Sequence, residues 1–136
     1  MADIMSSSAR GRLMSRIRGK DTMPELRVRR YLHSRGLRFR LHVKDLPGKP
    51  DLVFPRYRTV LFVHGCFWHQ HPGCRYAVMP ATNAEFWKSK LEGNVLRDHR
   101  HAAALESLGW RVLVVWECEV SDSDRLERLV RQITSR

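Results

Sequence analysis

At 136 residues the chain is long enough for one domain with a buried core. Its composition, 43% hydrophobic and 29% charged, is that of a globular protein, and no apolar run reaches the roughly 18 residues that a membrane span needs. Lys and Arg number 25 against 14 Asp and Glu, a formal charge of +11, which favours a polyanion, with nucleic acid ahead of an acidic membrane. A basic surface that is merely soluble is the plainer alternative. The N-terminus has no apolar core of a secretory signal, so a cytoplasmic protein is expected.

Residues 1–20 form a basic arm ahead of a domain over residues 21–136. Arg10, Arg12, Arg16, Arg18 and Lys20 face a single acid, Asp3. Such an arm can follow a phosphate backbone or enter a minor groove, or it can be a solvated tail. A helix is expected from about Asp21 to Arg35. Thr22 and Glu25 make a capping-box pattern, Pro24 suits the first turn, and Gly36 ends the helix. Arg38–Val43 alternates basic and apolar residues and predicts a strand with one basic face. Leu46–Pro50 is a turn, Asp51–Phe54 a short strand, and Thr59–His64 a central strand that is apolar on both faces. A long helix follows from about Ala84 to Leu108. Thr82 or Asn83 would cap it, Gly109 would end it, and Trp87, Leu91, Val95, Ala102 and Leu105 would be its buried face. Arg111–Glu117 predicts a buried strand. Strand, helix, strand implies a parallel crossover, which would set Thr59–His64 beside Arg111–Glu117. A last helix after Ser121 carries Leu126, Leu129, Val130 and Ile133 on one stripe. The fold class is α/β, a single domain with a mixed sheet flanked by helices.

Three cysteines argue against a complete disulfide framework. Cys66, His71 and Cys74 are spaced C-x4-H-x2-C, a soft donor set that suits zinc. Parallel neighbouring strands end at the same sheet edge, so Cys118 is placed to be a fourth ligand. His69 is the competing imidazole. A closed site of three cysteines and one histidine is structural rather than catalytic.

Asp51 opens a strand beside a basic region, which suits a hard cation such as Mg2+, although a Pro-Asp dipeptide is commonly just a turn. The neighbouring strand delivers His64 and then His69, either of which can take a proton near neutral pH. Glu25 is a second candidate acid, or simply a capping residue. Phe67 and Trp68 stand in a loop where polar residues are expected, and they are read equally well as wedges for DNA or as packing over the loop. Trp87, by its helical spacing, reads as core.

The runs Leu46–Asp51, Val63–His69, Glu85–Trp87 and Gly109–Cys118 together resemble the very-short-patch-repair (Vsr) DNA mismatch endonucleases, from about Asp21 to Cys118. The resemblance implies a restriction-endonuclease-like fold and a Mg2+-dependent nick in duplex DNA beside the thymine of a T:G mismatch, the product of 5-methylcytosine deamination. It implies that Asp51 and the main-chain carbonyl of Val63 hold one or two Mg2+ ions. His69 would be the general base, with His64 near the scissile phosphate and Glu25 orienting the water. Cys66, His71, Cys74 and Cys118 would bind one structural Zn2+. Phe67, Trp68 and Trp87 would intercalate by the mismatch, which reverses the unaided reading of Trp87. A nucleoid-associated monomer is expected, with mismatch-repair proteins and a companion cytosine methyltransferase as partners and no membrane. Two departures stand out. The strand Leu61–His64 lacks the acidic-x-Lys element of many restriction-type nucleases, as Vsr enzymes do. Gln70 and Pro72-Gly73 replace residues that are often histidine in the family. The alternatives are a zinc-stabilised DNA-binding protein without activity, a restriction-type nuclease of the same fold, or, less well, an RNA-binding module.

Overall fold

A computed structural model describes residues 22–135, so the basic arm expected over residues 1–20 lies outside the described residues. Helix α1 spans Met23–Ser34. The Thr22 side chain accepts the Glu25 N–H at 3.4 Å and points its own hydroxyl at the Glu25 carboxylate at 3.3 Å. The helix ends at Gly36, whose φ of +86° suits glycine.

Four strands follow in the order β1-β2-β3-β4: Arg40–Leu41, Leu52–Phe54, Thr59–His64 and Arg111–Trp116. The first three form an antiparallel meander, and β3 and β4 are parallel, joined by helix α2 over Ala84–Ser107. Helix α3 spans Ser123–Thr134 and is capped by Asp122, which accepts the N–H groups of Asp124 and Arg125.

Side chains alternate across the sheet and divide the core in two. Leu52, Phe54, Leu61 and Val115 meet Val28 and Leu32 of α1 and Leu126, Leu129 and Ile133 of α3. On the other face Val53 and Val60 meet Leu105 of α2. A fully buried Leu or Phe of this kind contributes about 1.5–3 kcal/mol. By the same alternation Asp51, His64 and Trp116 fall on the α2 face. That parity, together with the shared edge where β3 and β4 end, positions the site.

Three expectations are corrected. The strand over Arg38–Val43 shrinks to two residues, because His42 adopts φ +57° and leaves the β region. Arg111–Glu117 is not a buried strand. Among the described residues β4 is a sheet edge with only Val115 fully buried, and Glu117 begins a short 3-10 turn. Asn83 precedes α2 in a left-handed conformation and makes no side-chain cap. On that helix Leu91 and Leu105 are buried, whereas Trp87, Val95 and Ala102 are half-buried.

Candidate active site and metal centre

The site is built where β3 ends. Asp51, one residue before β2, is held by the strand beside it: its Oδ2 accepts the Val63 N–H at 2.7 Å. Burial pushes the Asp51 carboxyl up to about 7; the Val63 hydrogen bond opposes this, and nearby Glu25 raises it further. Glu25 is itself buried, and its other oxygen takes the Arg29 guanidinium at 3.2 Å. The Asp51 carboxylate is withdrawn from water beside Glu25, so its charged form is disfavoured in the bare site. A divalent cation would relieve that, so the residues fit Mg2+.

His64 closes β3 and is buried; burial first, then His69, pull its pKa down to about 4. The His69 ring lies flat on it, with centroids 3.8 Å apart and planes 5° from parallel. His69 Nδ1 is 2.7 Å from Asp98 Oδ2 on α2. His64, His69 and Asp98 also have donor atoms close enough to suggest a metal group. Parallel stacked rings, however, do not aim their in-plane lone pairs at one ion, so His69 and Asp98 read as a hydrogen-bonded imidazole and carboxylate rather than as ligands of one metal. Asp98 was not singled out in the sequence. Its signal is positional: Trp87, Leu91, Asn94 and Asp98 recur at helical spacing, and Asn94 Nδ2 donates to the Trp68 carbonyl at 3.0 Å. One face of α2 therefore carries an acid where an apolar residue is due.

Two residues past His64 the chain enters a tight loop. His69 N–H donates to Gly65 O, His71 N–H to Cys66 O and Cys74 N–H to His71 O, with Gln70 and Gly73 at positive φ. This winding brings Cys66, His71 and Cys74 to Cys118, which sits in the 3-10 turn after β4. Their four donor atoms lie within 4.8 Å of one another. His71 Nδ1 is 3.8 Å from Cys66 Sγ and 3.5 Å from Cys118 Sγ. Burial pushes the Cys66 thiol up to about 12 and raises that of Cys118. Without an ion these thiols are held neutral; a cation among them would favour the thiolates, and three thiols with one imidazole are a zinc-type donor set, so the quartet could hold zinc. His69, the competing imidazole, is engaged with Asp98 instead.

Phe67, Trp68 and Trp87 form one cluster, with ring centroids 5.0–5.9 Å apart. All three are half-buried, and Phe86, set against Trp87 at 5.4 Å, is 61% exposed.

The chain that carries this site matches known proteins along nearly its whole length. The model of the family DNA mismatch endonuclease Vsr matches residues 2–76. The chain belongs to the Vsr family of DNA mismatch endonucleases. It is 45% identical to the DNA mismatch endonuclease Vsr of Escherichia coli, over 93% of this chain and 80% of that protein. It is 55% identical to the type II nicking enzyme V.XorIIP of Xanthomonas oryzae, over 98% of this chain and 97% of the relative. It is 43% identical to the type II nicking enzyme V.NmeAIP of Neisseria meningitidis, over 98% and 97%. The Vsr chain is thus a DNA endonuclease, and its mixed sheet between helices is the restriction-endonuclease-like fold of the family. No helix among the described residues is long and apolar enough to cross a membrane.

Proposed function

We propose that this Vsr endonuclease nicks one strand of duplex DNA beside the thymine of a T:G mismatch, by Mg2+-dependent hydrolysis, and so begins very short patch repair. The observation that carries the reading is the 2.7 Å contact between His69 Nδ1 and Asp98 Oδ2, on the sheet face that also bears Asp51. With Nδ1–H donating to the Asp98 carboxylate, Nε2 keeps its lone pair free to receive a proton. His69 is then the general base. It draws the proton from water as the water oxygen bonds to phosphorus and the bond to the leaving oxygen breaks. The imidazolium that results is stabilised by the Asp98 carboxylate. His64, held neutral by burial, keeps an N–H to offer the phosphate. Asp51 and the main-chain carbonyl of Val63 would hold Mg2+, which when bound offsets charge on the phosphoryl oxygens. Glu25 completes the acidic edge and positions the water. Cys66, His71, Cys74 and Cys118 would hold one structural Zn2+.

The named nicking enzymes among the relatives support cutting of a single strand. The aromatic cluster supports recognition of a weakened base step. Phe67, Trp68 and Trp87 enter the stack where unpairing costs least, which is at a mismatch. The test compares end-labelled duplexes that differ in one pair, T:G, T:A or C:G, incubated with enzyme and Mg2+. Nicking of the T:G duplex alone is expected. Equal nicking of all three would show a fixed-site nuclease of the same fold.

A further inference from the structure

Four rings run in file from the site of hydrolysis to the zinc-type quartet. His69 lies on His64 at 3.8 Å, His64 meets Trp116 at 5.1 Å and 70°, and Trp116 stacks on His71 at 4.3 Å and 11°. The middle of the file is set by the backbone, because His64 and Trp116 are partners in the parallel ladder. Trp116 is anchored in turn. Its main-chain N–H donates to Glu119 Oε1 at 2.9 Å, and Glu119 Oε2 takes Arg125 Nε at 3.3 Å. Arg125 also donates to the Val114 carbonyl at 3.2 Å. The backbone of Trp116 is thus fixed, and its half-buried indole lies between the rings of His64 and His71.

We propose that Trp116 is a positioning residue that couples the zinc quartet to the catalytic histidines. A coordinating imidazole must aim its lone pair at the ion, which fixes the plane of the ring. Loading the quartet thus fixes the plane of His71, and an indole stacked 11° from that plane takes its orientation from it. Trp116 then bounds His64 from the side, and His64 is the floor on which His69 lies. In a close-packed interior, a displaced ring moves its neighbour rather than opening a gap. The structural metal acts in this way on the placement of the base, and not only on the stability of the loop. The inference rests on His69 being the base.

Two variants of the full-length, zinc-loaded protein test it, alongside W116F. W116L removes the indole. H71C gives zinc four thiolate donors in place of three thiolates and an imidazole, and removes the imidazole from the stack. Both are expected to bind zinc and to bind mismatched duplex within about threefold of wild type, while the single-turnover nicking rate falls by about tenfold or more. W116F should recover the rate to within about threefold, since a ring is restored. Zinc-loaded H71C or W116L that nicks at the wild-type rate would overturn the proposal. A readout independent of activity is the set of imidazole resonances of His64 and His69 at fixed pH when Cd2+ replaces Zn2+. They should move in the wild type and stay in place in W116L. Equal movement in both would route the coupling through the Gly65–Cys66 backbone and overturn the role of Trp116. Absence of nicking by the wild type would instead refute the mismatch endonuclease reading, leaving the resonance comparison to decide the coupling.

Discussion

Asp98 Oδ2 lies 2.7 Å from His69 Nδ1, although the two residues are 29 apart in the chain and sit on different elements. The loop after β3 presents the imidazole, and α2 brings the carboxylate across to it. Replacing Asp98 by Asn keeps the shape and lets the amide donate to Nδ1, so the Nε2 lone pair is lost to the wrong tautomer. The nicking rate should fall by about 10²–10⁴ with little change in duplex affinity. Single-turnover kinetics with a binding isotherm separates the two effects. A rate within about twofold of wild type would remove Asp98 from the mechanism.

With Asp51 as the proposed Mg2+ ligand, metal binding should depend on pH. Its folded value of about 7 against an ordinary 3.8 means that the metal-free fold holds more protons than the unfolded chain between those values. Stability from this group therefore falls as pH rises across that window. His64 acts in the opposite sense. Its value falls from 6.5 to about 4, so its contribution is complete above 6.5 and is lost as pH falls toward 4. The two oppose each other up to 6.5, and above that Asp51 acts alone. Mg2+ must displace the Asp51 proton, so affinity should rise about tenfold from pH 6 to pH 8, with about one proton released at the lower pH. Calorimetry in two buffers of different ionisation enthalpy measures the proton. A flat affinity across this range would place the ion elsewhere.

Zinc removal should loosen the loop after β3 without dissolving the two-sided core. Cys66 is fully buried, so its replacement mixes a cavity with the loss of a ligand, whereas Cys118 is exposed. Cys118→Ala is therefore the cleaner probe. It should weaken zinc retention against a chelator and lower Tm by on the order of 10 °C. The same Tm with and without chelator in the wild type would show that the quartet holds no structural ion.

Gly48 lets the turn before Asp51 approach α2. A Cβ there would lie 2.8 Å from the His101 Cβ, and φ is +74°. Gly48→Ala meets both a clash and a strained backbone, and should cost about 1–3 kcal/mol in urea denaturation. Because the turn leads into Asp51, the nicking rate should fall further than the stability loss alone explains. Unchanged stability would mean that the turn and helix separate freely.

Most of the scaffold was legible because its signals are local. Thr22 with Glu25 marked the start of α1, and the strand–helix–strand order fixed β3 parallel to β4. That parallel edge is also what sets Cys118 with Cys66, His71 and Cys74 in the sequence reading. Asp98 was legible only faintly: its spacing from Trp87, Leu91 and Asn94 sets it on the inward face, but a lone acid within a helix ordinarily belongs to a solvated one. Only the loop folding onto α2 makes it a partner. The ring file through Trp116 was hidden for the same reason. Ladder register set His64 opposite Trp116, and nothing in the composition of either strand announces it. The shortened β1 turned on the backbone of His42 at positive φ, which side-chain alternation does not encode.

The most direct test of the hydrolytic centre is Asp51→Ala on a duplex carrying one T:G mismatch, with Mg2+, reading strand nicking and duplex affinity together. No detectable nick by the variant is expected, with affinity within about threefold of wild type, since the role proposed for Asp51 is in hydrolysis and not in base-step recognition. A variant that nicks the mismatched duplex at the wild-type rate would contradict the assignment of this sheet edge as the active site.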